Sequence, residues 1–228
     1  MLQGGRKTPN SLGSKAVSFI AFLLIFSFVF IVYYVVSLLI VEAGYPSGNL
    51  VFLLDAALSL SMSTSVLIYL MVYKGMGIRD VVNSLGLNPR SFSKRVILIS
   101  LMLFSIVMIL SLSISLIGSI TGTTVNTNVA QALSGAPLWL YAFNILIVPI
   151  NGEMLFRGLM VPRIGIIASA IIFGLGHASY DSTFAIEVIA AMVFGLLAGY
   201  AFKKSKSLYP SIFAHMLVNA LAILSIIG

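Results

Sequence analysis

The sequence predicts an all-α, polytopic integral membrane protein of about seven transmembrane helices with a cytoplasmic N-terminus. Three observations carry this. Of 228 residues, 60% are hydrophobic and 8% are charged, whereas a soluble domain spends roughly a quarter of its residues on charge. Apolar runs of about 20 residues, the length that crosses a hydrocarbon core, follow one another along the chain. The basic residues behind the net charge of +7 fall in short clusters between those runs. This composition excludes an ordinary globular enzyme and a disordered segment. No basic cluster is long enough to track a nucleic-acid backbone, so no nucleic-acid partner is expected. With no Cys, disulfides, thiolate nucleophiles and Cys-metal sites are excluded together.

The spans follow in order. Ala16 to Val41 is the first, and its basic flank resembles that of a signal peptide. The run is too long for the apolar region of one, so it reads as an uncleaved span. Leu50 to Tyr73, Val96 to Ile120 and Pro137 to Val161 make the second to fourth. Ile164 to Ser179 is a shorter fifth, Phe184 to Phe202 a sixth and Leu208 to Ile227 a seventh. With the N-terminus inside, segments 1–15, 74–95, 162–163 and 203–207 hold all but Arg157 of the 13 basic residues. The outer segments 42–49, 121–136 and 180–183 hold none. That asymmetry is the positive-inside pattern of a multi-pass protein, expected in the cell membrane. The chain divides into a basic cytoplasmic tail (1–15), helices one to three with a cytoplasmic loop at 74–95 (16–136), and a C-terminal core (137–228). Loop 74–95 has apolar residues near helical spacing up to Asn88-Pro89, which predicts a short interfacial helix. Segment 121–136, rich in Thr, Asn and Gly, reads as an outer loop.

A charged group at a helix centre costs about 2.5–3.5 kcal/mol on insertion scales, so ionisable residues within the spans mark candidate sites. Asp55 and Glu187 lie near the outer face and read as interfacial. Glu153 and Arg157 are spaced i, i+4 with the acid first, the favoured order for a helical ion pair. Phe173 with His177, and His215 with Asn219, repeat that spacing on two other spans. At about 1.5 Å per residue, Glu153 lies roughly 15 Å above the cytoplasmic end, His215 roughly 12–14 Å and His177 roughly 21 Å. Carboxylate and imidazole together position and deprotonate water, while a second imidazole and an amide donate to an oxyanion. The alternative is a structural ion pair with two packing histidines. Zinc is a further alternative to a cofactor-free site, although no His-Glu-x-x-His motif is present.

These residues resemble the CAAX prenyl protease type II and bacteriocin-processing family of intramembrane glutamate proteases. The family's Glu-Glu-x-x-x-Arg is met by Gly152-Glu153-Met154-Leu155-Phe156-Arg157, its Phe-x-x-x-His by Phe173 to His177, and its His-x-x-x-Asn by His215 to Asn219. The resemblance covers about Pro137 to Ile227. It implies a catalytic set of Glu153, His177, His215 and Asn219 with Arg157 and Phe173 in support, and no cofactor. The implied partners are membrane lipids and a peptide or prenylated-protein substrate. One departure stands out: the family's first Glu, which works with the second-motif His on the attacking water, falls on Gly152. Glu153 points about 100° away around the helix and is engaged by Arg157, and Asn151 has no basic oxygen to replace it. Impaired catalysis is the consequence, and a non-catalytic binding or immunity-type protein of the same fold is the rival reading. A transporter is disfavoured, because the two halves lack corresponding broken helices.

Overall fold

In the computed structural model, residues 12–46, 49–121, 135–178 and 184–227 are described. They are helical almost throughout: α1 is Leu12–Glu42, α2 Leu50–Ile68, α3 Ile78–Ser84, α4 Lys94–Thr121, α5 Leu138–Glu153, α6 Val161–Leu175, α7 Phe184–Ser205 and α8 Tyr209–Ile227. Two π-helical segments, Tyr69–Tyr73 and Met154–Met160, continue α2 and join α5 to α6. Among the described residues, five helical stretches are long and apolar enough to cross a membrane, and Tyr209–Ser225 is a shorter apolar helix. The protein is therefore an all-α, multi-pass membrane protein. Most of the expected outer loop at 121–136, the expected loop at 180–183, most of the basic tail and the side chain of Glu187 lie outside the described residues.

One of those five stretches, Leu138–Leu175, has 38 residues. That is about 57 Å of helix, nearly twice a hydrocarbon core of about 30 Å. It does not run straight. Gly165 sits at φ 87°, ψ 170°, a region open essentially to glycine alone, and there the chain turns back. The Ser169 hydroxyl donates to the Phe156 carbonyl at 2.8 Å, and the rings of Phe156 and Phe173 meet edge to face at 5.0 Å. Spans four and five are thus a tight hairpin. Its turn comes at Gly165, later than the Pro162-Arg163 break expected from sequence. No atom lies within 4 Å of where a Gly165 Cβ would stand, so only the backbone resists substitution. Gly165→Ala is expected to lose about 1–3 kcal/mol of stability, read as a lower thermal midpoint in detergent.

The hairpin is the centre of the bundle. Every residue from Asn151 to Val161 is buried. α2 and α8 pack against α5, α7 against α6, and α4 against α7 and α8, while α1 lies outside α2. Gly195 lets α7 approach α6 closely, since a Cβ there would stand 3.0 Å from the Ala170 Cα. The outward faces of α1 and α4 present Ile20, Leu24, Phe28, Met102, Ile109 and Leu112, the apolar surface that lipid covers.

The two ends of the bundle differ in chemistry. At one, Lys74 donates to Ser18 at 2.8 Å, the Arg163 guanidinium lies 5.2 Å from the Tyr69 ring centre, and the turn at 203–207 follows α7. The interfacial helix expected in 74–95 is α3. It does not merely lie on the surface: Val81 and Leu85 are buried, the Leu208 amide donates to the Gly86 carbonyl at 3.0 Å, and the Tyr209 hydroxyl donates to the Leu87 carbonyl at 2.9 Å. This loop plugs the basic end of the bundle. At the other end, Trp139 Nε1 donates to the Tyr45 hydroxyl at 3.4 Å, near Phe52, Tyr141 and Ile223. Aromatic side chains of this kind suit a membrane interface.

Candidate functional site

The site begins where α5 ends. Pro149 stands inside α5 and has no N–H to continue the helical ladder. Five residues later the chain enters the π-helical segment Met154–Met160, a conformation found often at functional sites. Glu153 and Arg157 occupy this transition. Arg157 Nη1 donates to Glu153 Oε1 at 2.8 Å, with both side chains almost wholly buried. The Arg157 guanidinium also lies 4.2 Å from the ring centre of Phe173 and 5.1 Å from that of Phe194, contacts of cation–π type. The expected ion pair is therefore present, held between the two arms of the hairpin and α7.

α8 supplies the third member. His215 is buried, and its Nδ1 lies 3.2 Å from the same Glu153 Oε1. A carboxylate oxygen accepts, so Nδ1 carries the proton and Nε2 is the nitrogen left for another partner. Gly152 faces this ring. A Cβ built on Gly152 would stand 4.0 Å from His215 Cε1, with nothing else within that distance. The position of the missing carboxylate thus opens toward the imidazole, beside the Glu153–Arg157 pair.

His177 arrives from the other arm. Glu153 and His177 lie equally far along the chain from Gly165, 12 residues on either side. The turn at Gly165 removes the height difference inferred from sequence, which came from counting to a loop at 162–163. The His177 ring lies 4.4 Å from that of Phe173, and His215 lies 6.0 Å from it on a T-shaped contact. Phe173 is the hub between both histidines and Arg157. His177 Nδ1 is 2.8 Å from the Phe173 carbonyl, which can only accept. Here too the proton sits on Nδ1 and Nε2 is left as a base. Unlike His215, His177 is exposed.

Asn219 shares the face of His215, but its Nδ2 donates to the Asn144 carbonyl at 2.8 Å. The Asn144 side chain in turn donates through Nδ2 to the Leu140 carbonyl at 3.1 Å, and Asp55 on α2 is exposed near the outer end. Asn151 Nδ2 donates to Ser59 Oγ at 3.0 Å, so this amide braces α5 against α2. Sequence reasoning missed Phe194, Asn144 and Ser59. Asn144 had a visible signal, a polar amide in the middle of an apolar run. Nothing in the local sequence separates Phe194 from its apolar neighbours.

The arrangement sets out two imidazole Nε2 atoms near a buried carboxylate–guanidinium pair. Glu153 Oε2 and Arg157 Nη2 are buried without a partner, a condition that costs roughly 1–3 kcal/mol per group unless water or ligand meets it. Glu153 and His215 would be the donors to a metal ion. No group of three or more ligating side chains converges among the described residues.

No curated protein and no solved structure matches the chain. Residues 134–221 match the family model described as type II CAAX prenyl endopeptidase Rce1-like, and the match spans all three motifs from Gly152 to Asn219. By that match, this C-terminal part of the chain is similar to the type II CAAX prenyl endopeptidases, Rce1-like.

Proposed function

We propose that the chain is a CAAX-type endopeptidase of the membrane, hydrolysing prenylated C-terminal or other membrane-associated peptides, with its basic end facing the cytoplasm. The observation that carries this reading is the meeting of Glu153, Arg157 and His215 from α5, the π segment and α8 around a position, Gly152, that opens onto the imidazole. His177, with Nε2 unprotonated, orients and deprotonates the attacking water. His215 meets the developing oxyanion through Nε2 once the ring is doubly protonated, a charge faced by Glu153 at 3.2 Å. Asn219 completes that side of the site by turning its amide from Asn144 toward the substrate. Glu153 and Arg157 position His215. No metal or other cofactor takes part in this scheme.

Gly152 favours a second reading, a non-catalytic binder that retains the cavity. A single experiment separates the two. The unmodified chain is placed in liposomes with a farnesylated peptide, and cleavage and binding are followed together. Endopeptidase action predicts turnover that His215→Ala lowers at least about 100-fold, the size of one oxyanion donor, with binding retained. The binder predicts bound, intact peptide in both proteins.

A further inference from the structure

A separate cavity of about 330 Å³ lies at the basic end of the bundle, between the hairpin turn and the end of α7. Its apolar walls are Val161, Pro162, Ile166 and Phe202, and its charged lining is Lys203 and Lys206. Gly165 forms part of it, with no atom within 4 Å of its missing Cβ. Among the described residues, neither lysine is in an ion pair. Such a volume is at the lower end of ligand sites, about 300–1,000 Å³, and admits a headgroup rather than a whole lipid.

Lys206 adds an independent observation. It is the one described non-glycine residue at positive φ, 54°, where it ends α7 with its amide donating to the Phe202 carbonyl at 2.8 Å. Glycine is the usual residue at such a cap, and an L-residue there carries strain. The chain keeps a lysine at that place, lining the cavity. Lys204 has the same charge and is in the same cluster, yet its ammonium lies 5.6 Å from the Tyr200 ring centre and is not part of the lining. The basic cluster is therefore divided, two lysines to the cavity and one to a surface ring.

We propose that this cavity binds the phosphate of an anionic phospholipid, with Lys203 and Lys206 on the headgroup and the acyl chain along the apolar wall. Basic pockets between helices at this level of a membrane protein suit such headgroups. The cavity is distinct from the histidine site: Gly165 and Glu153 are 12 residues apart, roughly 18 Å of helix. The lipid would brace the hairpin turn on which the register of Glu153 and His177 depends.

The test uses the full chain in neutral detergent, titrated with phosphatidylglycerol, phosphatidylcholine and inorganic phosphate, with bound molecules counted by native mass spectrometry. Saturable binding of one phosphatidylglycerol and no phosphatidylcholine is expected. Lys203→Gln with Lys206→Gln should weaken it about 25-fold, about fivefold for each lysine. Lys204→Gln should change it less than twofold, and Lys203→Arg with Lys206→Arg should retain it. Equal loss in Lys204→Gln, or equal binding of phosphatidylcholine, overturns the proposal. Displacement of the lipid by inorganic phosphate at equal concentration overturns the lipid assignment.

Discussion

Gly152→Glu is expected to raise peptide-bond hydrolysis by this chain about 10²–10⁴-fold, the range supplied by one positioned acid–base group. The direction of the Gly152 side is the reason. A Cβ there has open space toward His215 Cε1 at 4.0 Å, so a glutamate side chain has room beside the imidazole. Glu153 cannot serve in its place, because its Oε1 is already shared by Arg157 at 2.8 Å and His215 at 3.2 Å. Gly152→Gln has nearly the same volume and helix propensity but no basic oxygen. It should leave hydrolysis at the level of the unmodified chain, which separates the chemistry from any gain in helix stability. The assay is cleavage of a prenylated peptide in liposomes, with thermal melting as the check on folding. If a folded Gly152→Glu protein stays inert, and His177→Ala changes neither turnover nor peptide binding, the protease reading fails.

Arg157→Ala is expected to cost about 3–5 kcal/mol, the penalty for removing one partner of a buried ion pair. The guanidinium is 1% exposed and Glu153 is wholly buried, so water cannot replace the lost charge. The loss of packing on Phe173 and Phe194 adds to it. Denaturant unfolding in mixed micelles measures the difference. The double substitution Glu153→Gln with Arg157→Met should recover most of the stability, since a neutral, well-packed replacement of a buried pair is often no worse than the pair. Activity should not return with it, because His215 then loses the carboxylate that holds its ring. Equal destabilisation in the single and double variants would mean that packing, rather than the uncompensated charge, dominates.

Much of the fold was legible because membrane insertion is read locally. Each apolar run stands for one crossing, and the side bearing Lys74, Arg163 and Lys203 was marked by charge alone. The short helix at Ile78–Ser84 was visible in its spacing, but its role as a plug was not. That role rests on hydrogen bonds from Leu208 and Tyr209 to residues more than 100 positions earlier. The pairing of Glu153 with Arg157 was likewise legible, since i, i+4 neighbours meet on any helix.

What the sequence by itself determined, then, is the class of protein, the sidedness of its charge and the three helices that carry the motifs. Only the tertiary structure decided that His215 closes on Glu153, that Gly152 opens toward that imidazole, and that Asn219 is held by Asn144. The height of His177 was also decided there. Counting residues to an assumed loop placed it well above Glu153, while the hairpin at Gly165 brings the two to equal distance from the turn. The physical reason is the same in each case. Periodicity reports how a residue faces its own helix, whereas contacts between helices 60 or more residues apart depend on turn geometry and packing that no local pattern contains.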